Sequence, residues 1–229
     1  MTMIWFVTGK GGVGKTSVSS KFAAENLHFH LLGEDEISRK VLAEDFLHKA
    51  VKFKALAHLL GQSKLLQTLI GIAPNLHELL YLREITRRAQ TTPLIVDAPS
   101  TGNFISTLEA LYTARDLFES GLLKDLVDET IKMLREPHAV KVSVVSIPEE
   151  SALSETKQII EYIKTKWPEF EIELVLNRLH EPSTHPEAWD QPWRDLAIER
   201  PERELRRIRI FEEGSGSFAR RFHEGDLPT

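Results

Sequence analysis

The segment Gly9-Lys10-Gly11-Gly12-Val13-Gly14-Lys15-Thr16-Ser17 constrains the fold of this chain more than any other feature. So many glycines in so few residues cannot extend a strand or a helix interior; they make a turn whose backbone enters conformations other residues avoid. The flanks say what the turn connects. Ile4-Trp5-Phe6-Val7-Thr8 before it is a short apolar run with the character of a buried strand, and residues 17–26 after it carry polar and small side chains at helical spacing. A glycine loop between a strand and a helix points successive backbone N–H groups inward, and the helix N-terminus adds its dipole. Together these groups make an anion cradle, and phosphate is its natural guest. A chance match to the fixed positions in a chain of this composition is on the order of one in a hundred.

The rest of the chain alternates in the same way. Further strands are predicted at residues 29–32, 93–97, 140–147, 172–176 and 207–211, with helices over residues 107–134, interrupted at Ser120-Gly121, and over residues 151–165. Residues 38–90 read as a helical insertion, with leucines at three- and four-residue spacings and punctuation at Gly61, Gly71 and Ala73-Pro74-Asn75. Strands alternating with helices predict an α/β fold with a doubly wound, mainly parallel sheet. At 229 residues, one domain carrying that insertion is expected. The tail over residues 213–229 begins Glu213-Gly214-Ser215-Gly216-Ser217 and is flexible in composition.

Composition excludes several chemistries. With no cysteine there is no disulfide, thiolate-bound zinc, iron–sulfur ligation or cysteine nucleophile. His28, His30, His48, His58 and His77 show no tight metal-ligand spacing and are read as structural. A net charge of −5 argues against a general nucleic-acid binder. No run approaches the roughly 18 apolar residues a spanning helix needs. The N-terminal residues lack the basic region and cleavage site of a signal peptide, so a cytoplasmic location is expected.

The glycine-rich segment also resembles a known family. Lys10-Gly11-Gly12-Val13-Gly14-Lys15-Thr16 is similar to the deviant Walker A motif of the MinD, ParA, nitrogenase-iron-protein and ArsA P-loop ATPases. The resemblance implies a P-loop NTPase fold that binds ATP and Mg²⁺ through Gly11, Gly12, Val13, Gly14, Lys15, Thr16 and Ser17. Lys15 would reach the β- and γ-phosphates, and the Thr16 hydroxyl would bind Mg²⁺. It also implies that Lys10 reaches a partner's nucleotide across a sandwich dimer. Asp97, at the end of an apolar run, stands where such proteins hold Mg²⁺ through water.

Four further segments resemble the ArsA/GET branch. Asp97-Ala98-Pro99-Ser100-Thr101-Gly102-Asn103 is similar to its switch II, in which the backbone at Pro99 and Gly102 would sense the γ-phosphate. Ala73 to Leu80, the Pro148-Glu149 pair with the downstream Glu155-Thr156, and Leu174 to Arg178, with Asn177 as the adenine-recognising residue, complete the pattern. The family's switch I is altered: Gly33-Glu34-Asp35-Glu36-Ile37-Ser38 keeps Asp35 as the match to the water-orienting aspartate but lacks the following Pro-Ala-His. Phosphoryl transfer depends on positioning and charge stabilisation, so this change makes ATP binding the firmer expectation and slow hydrolysis the next.

The expected activity is therefore that of a Mg-ATP-dependent switch. ATP would close a dimer with a second copy or an ArsA-like paralogue, and the insertion would bind or release a protein client. Two other readings stay open: a weakly hydrolysing subunit that pairs with a larger paralogue, and a MinD- or ParA-like positioning ATPase. The last would want an amphipathic or basic terminal segment, and Phe218-Ala219-Arg220-Arg221-Phe222-His223 is short for that. Direct insertion into a membrane is not expected.

Overall fold

A computed structural model of the protein describes residues 3–33, 36–37, 76–120, 122–147, 149–179, 207–208 and 218–223. In chain order the elements are β1 (Ile4–Gly9), α1 (Lys15–Glu25), β2 (His30–Leu32), α2 (Leu76–Ala89), β3 (Leu94–Ser100), α3 (Thr101–Leu117) and α4 (Leu122–Leu134). Then follow β4 (Val140–Ser146), α5 (Glu150–Lys166), β5 (Glu171–Leu179), β6 (Arg207–Ile208) and β7 (Phe218–His223). The strands form one sheet in the order β2-β3-β1-β4-β5-β7-β6, parallel through β5 and antiparallel beyond it. The expected doubly wound α/β fold is present. Of the predicted insertion, α2 is described; its remainder, residues 38–75, lies outside the described residues, and so does Asp35.

β1 runs at the centre, paired with β3 on one side and β4 on the other, and all six of its residues are buried. Because side chains alternate across a strand, β1 feeds two cores. Ile4 and Phe6 join Leu94, Val96, Val140, Val142, Ile172 and the apolar faces of α2 to α5, among them Leu82, Phe104, Leu108, Ile159 and Ile163. Trp5 and Val7 join Ile95, Val145 and Val175 under Val18 and Phe22 of α1. The chain moves one way along the sheet from β1 to β2 and the opposite way from β3 to β4 and β5. Right-handed crossovers therefore put α1 on one face and the later helices on the other. Where that direction reverses, at the carboxyl ends of β1 and β3, an open α/β sheet leaves a crevice.

On the α1 face, beneath the crevice, a buried polar row joins three strands. Trp5 Nε1 donates to Ser143 Oγ at 2.6 Å, Ser143 donates to Glu173 Oε1 at 2.5 Å, and Lys141 Nζ lies 2.9 Å from Glu173 Oε2. The Lys141 ammonium also sits 4.2 Å from the Trp5 ring centre. Glu173 is thus a buried carboxylate with a cation and a hydroxyl on it, the condition under which a buried charge is tolerated.

Three departures from the sequence reading have a tertiary reason. β3 continues past Asp97 to Ser100 although Pro99 has no N–H to give. A register irregularity there sets Val7 opposite Asp97 but Gly9 opposite Ser100, so Pro99 sits at a bulge, where proline is tolerated in a sheet. Thr8 Oγ1 donates to the Pro99 carbonyl at 2.7 Å and fastens the bulge to β1. α3 then starts at Thr101, not near Thr107; its polar first turn hides a buried stripe of Thr101, Phe104, Thr107, Leu108 and Leu111 packed on the sheet. Last, the tail expected to be flexible from Glu213 contains a strand. β7 pairs with β5 from Glu173↔His223 to Leu179↔Phe218, and β6 pairs with β7. Strand formation depends on an available edge more than on local preference, so composition did not reveal it.

Gly9 ends β1 at φ +153, and a Cβ there would stand 2.1 Å from the Val145 carbonyl oxygen of β4. Gly9→Ala should therefore destabilise the protein by about 2 kcal/mol or more. Gly11→Ala, at a position with no positive φ and no atom within 4 Å, should stay within about 0.5 kcal/mol of wild type. Denaturant unfolding of the two variants checks the contrast.

Candidate nucleotide-binding site

The glycine loop lies at the crevice. It leaves β1 at Gly9, passes Gly12 at φ +84 and Gly14 at φ +89, and enters α1 at Lys15. Gly14 is the residue before the helix, is left-handed, and provides no side-chain cap; the first turn of α1 contains no acidic residue. The N–H groups at this end are thus uncapped by any side chain, and the first turn itself brings no carboxylate, the arrangement that suits an anion. Gly11 and Gly12, at the apex, face open space. Val13 is buried with Val7, Val145 and Val175, so the loop is pinned to the core at its centre. Lys15 is half-buried, while Thr16 and Ser17 are exposed on the first turn.

Asn177, near the end of β5, clamps the loop from beneath. Its Nδ2 donates to the Val13 carbonyl at 2.9 Å, and its Oδ1 accepts from the Arg178 N–H at 2.9 Å. Gly14 is required here for space as well as for φ, since a Cβ would lie 2.5 Å from Asn177 Nδ2. The residue singled out in sequence for the adenine is thereby brought to the loop, in a bracing contact that sequence reasoning had not foreseen.

Asp97 reaches the site from β3. The Thr16 hydroxyl donates to Asp97 Oδ2 at 2.7 Å, across 81 positions of sequence. Asp97 is buried, and its Oδ1 has no hydrogen-bond partner among the described residues. A hydroxyl and a carboxylate in contact, with one buried carboxylate oxygen to spare, fit a hard divalent cation that takes oxygen ligands. These two residues would hold Mg²⁺, which would supply positive charge against a bound phosphate. Pro99 lies in the β3 bulge and Gly102 in the first turn of α3, with open space at its Cα. The Thr101 hydroxyl, buried and without a partner among the described residues, begins that helix.

Lys10 is engaged within its own chain: its Nζ lies 2.9 Å from Glu155 Oε1 on α5, with both side chains about one-third exposed. The sequence offered Glu155 only as part of a motif, since its contact to Lys10 spans most of the domain. After β2, the Gly33 N–H donates to Glu36 Oε1 at 3.3 Å. Among the described residues no helix is long and apolar enough to cross a membrane.

A parallel sheet with β1 between β3 and β4, a glycine loop leading into α1, and a Thr16–Asp97 pair define the architecture. The fold is that of a P-loop NTPase. The chain matches no protein-family model and no curated protein. Among solved structures it is similar to the thymidylate kinase of Ehrlichia chaffeensis, at 17% identity and a TM-score of 0.34 over 75% of this chain and 90% of that one.

Asp97→Asn should lower Mg-ATP affinity by roughly tenfold or more, because it removes the negative charge facing the cation, and should leave ATP binding in EDTA nearly unchanged. Titration calorimetry with and without Mg²⁺ reads the difference. Asn177→Ala should leave the Val13 carbonyl without its donor and cost about 1–3 kcal/mol of stability in denaturant unfolding.

Proposed function

We propose that the protein is a Mg-ATP-binding dimeric molecular switch of the ArsA/GET type, which couples ATP binding and hydrolysis to the binding of a protein client. The observation that carries the nucleotide part is the uncapped α1 N-terminus beside the bonded Thr16–Asp97 pair. Backbone N–H groups of residues 11–17 hold the phosphates, Lys15 adds charge at the β- and γ-phosphates, and Thr16 and Asp97 supply the cation's oxygens. In this reading Asn177, near the end of β5, recognises the adenine. Pro99 and Gly102, at the β3–α3 junction, respond to the γ-phosphate and pass its presence to α3.

The switch part is supported by Lys10, a second lysine on the loop itself, in a motif similar to that of sandwich-dimer ATPases. In this reading it reaches the nucleotide of a second copy, and Asp35 orients the attacking water. The missing Pro-Ala-His after Asp35 favours one other reading: a weakly hydrolysing subunit that works with a larger ArsA-like paralogue. The location that fits either is the cytoplasm.

Lys15→Ala should reduce ATP binding below detection by calorimetry. Lys10→Ala should keep nucleotide affinity within about threefold of wild type yet lose ATP-dependent self-association in sedimentation; normal association of that variant defeats the dimer-switch reading. Asp35→Asn should slow phosphate release in a steady-state ATPase assay with affinity preserved. Turnover that rises only when a paralogue is added supports the regulatory-subunit reading, and vigorous turnover of the purified chain sinks it.

A further inference from the structure

The ion pair between Lys10 and Glu155 concerns the residue on which the dimer switch depends. Glu155 lies on α5, the helix that follows β4, and β4 is the neighbour of β1 whose Val145 stands opposite Gly9. The first turns of α5 are fixed beside the loop: Ala152 is buried in the same cluster as Val7, Val13 and Val145. Thr156 is buried as well, and its hydroxyl donates to the Ala152 carbonyl at 2.7 Å. Between these two anchored residues Glu155 sits at the margin, half-exposed, with its carboxylate 2.9 Å from the Lys10 ammonium.

A lysine ammonium is a compact charge on a flexible stem, and it can leave one anion for another. For Lys10 to reach a phosphate held by a second copy, it has to give up Glu155. We propose that Glu155 is a positioning residue: its carboxylate competes with the partner's nucleotide for Lys10 and so sets how tightly ATP holds two copies together. This rests on the dimer-switch reading of Lys10. With both side chains about one-third exposed, the pair is screened, and an exposed pair shifts an equilibrium by about two- to fivefold. Closing a symmetric dimer frees both lysines, so the factor applies twice and becomes about four- to twenty-five-fold.

Sedimentation of the 229-residue chain with Mg²⁺ and a slowly hydrolysed ATP analogue tests this on wild type, Glu155→Gln, Glu155→Asp, Lys10→Ala and the Lys10→Ala/Glu155→Gln double variant. Glu155→Gln should tighten self-association by about four- to twenty-five-fold, while Glu155→Asp, which keeps the carboxylate, should lie close to wild type. Lys10→Ala and the double variant should behave alike. A Glu155→Gln variant that associates as wild type does or more weakly overturns the proposal, and so does a double variant that regains association over Lys10→Ala. A monomeric wild type under these conditions overturns the dimer reading itself, and this proposal with it.

Discussion

The pairing of β1 with β3 on one side and β4 on the other is the constraint from which the site follows. Because all three strands run in the same direction, their carboxyl ends meet at one edge, and the loop after β1 opens beside the end of β3. Register then selects the face. Val7 stands opposite Asp97, and both belong to the set that includes Trp5 and Ile95, on the side covered by α1. The Thr16 hydroxyl, in the first turn of that helix, is therefore within hydrogen-bond distance of the carboxylate. A slip of one residue would turn Asp97 to the opposite face and take its carboxylate away from Thr16.

Gly9 and Gly14 show how little space this arrangement leaves. At the first, the backbone of β4 occupies the place of a Cβ; at the second, the Asn177 amide does. Neither end of the loop therefore has room for a side chain, while Gly11 and Gly12 stay open at the apex. The loop is thus rigid where it joins the core and accessible where an anion would enter. Preorganised N–H groups of this kind bind charge without reorganising, which is the source of their strength.

The core and the rim of this edge of the sheet are held differently. The glycine loop and the Thr16–Asp97 pair come from β1, α1 and β3, elements held by the deepest core contacts. The Lys10–Glu155 ion pair, by contrast, lies at the margin with both side chains partly exposed. Stabilities of about 1 kcal/mol or less at such positions are small enough for a ligand to overcome.

The sequence by itself determined the glycine loop, its flanking strand and helix, the strand that carries Asp97 and the alternation that makes a doubly wound sheet. All of these are local: glycine spacing, runs of β-branched residues, and helical periodicity. What only the tertiary structure decided involves residues far apart in the chain. Pro99 stays in β3 because the strand bulges against Thr8, and α3 begins at Thr101 because the sheet buries its polar-looking first turn. β7 forms because β5 offers an edge. Asn177 braces Val13, and Glu155 holds Lys10, across more than 140 residues of chain. Such contacts depend on register and on which face each helix covers, and those are fixed only when the strands assemble.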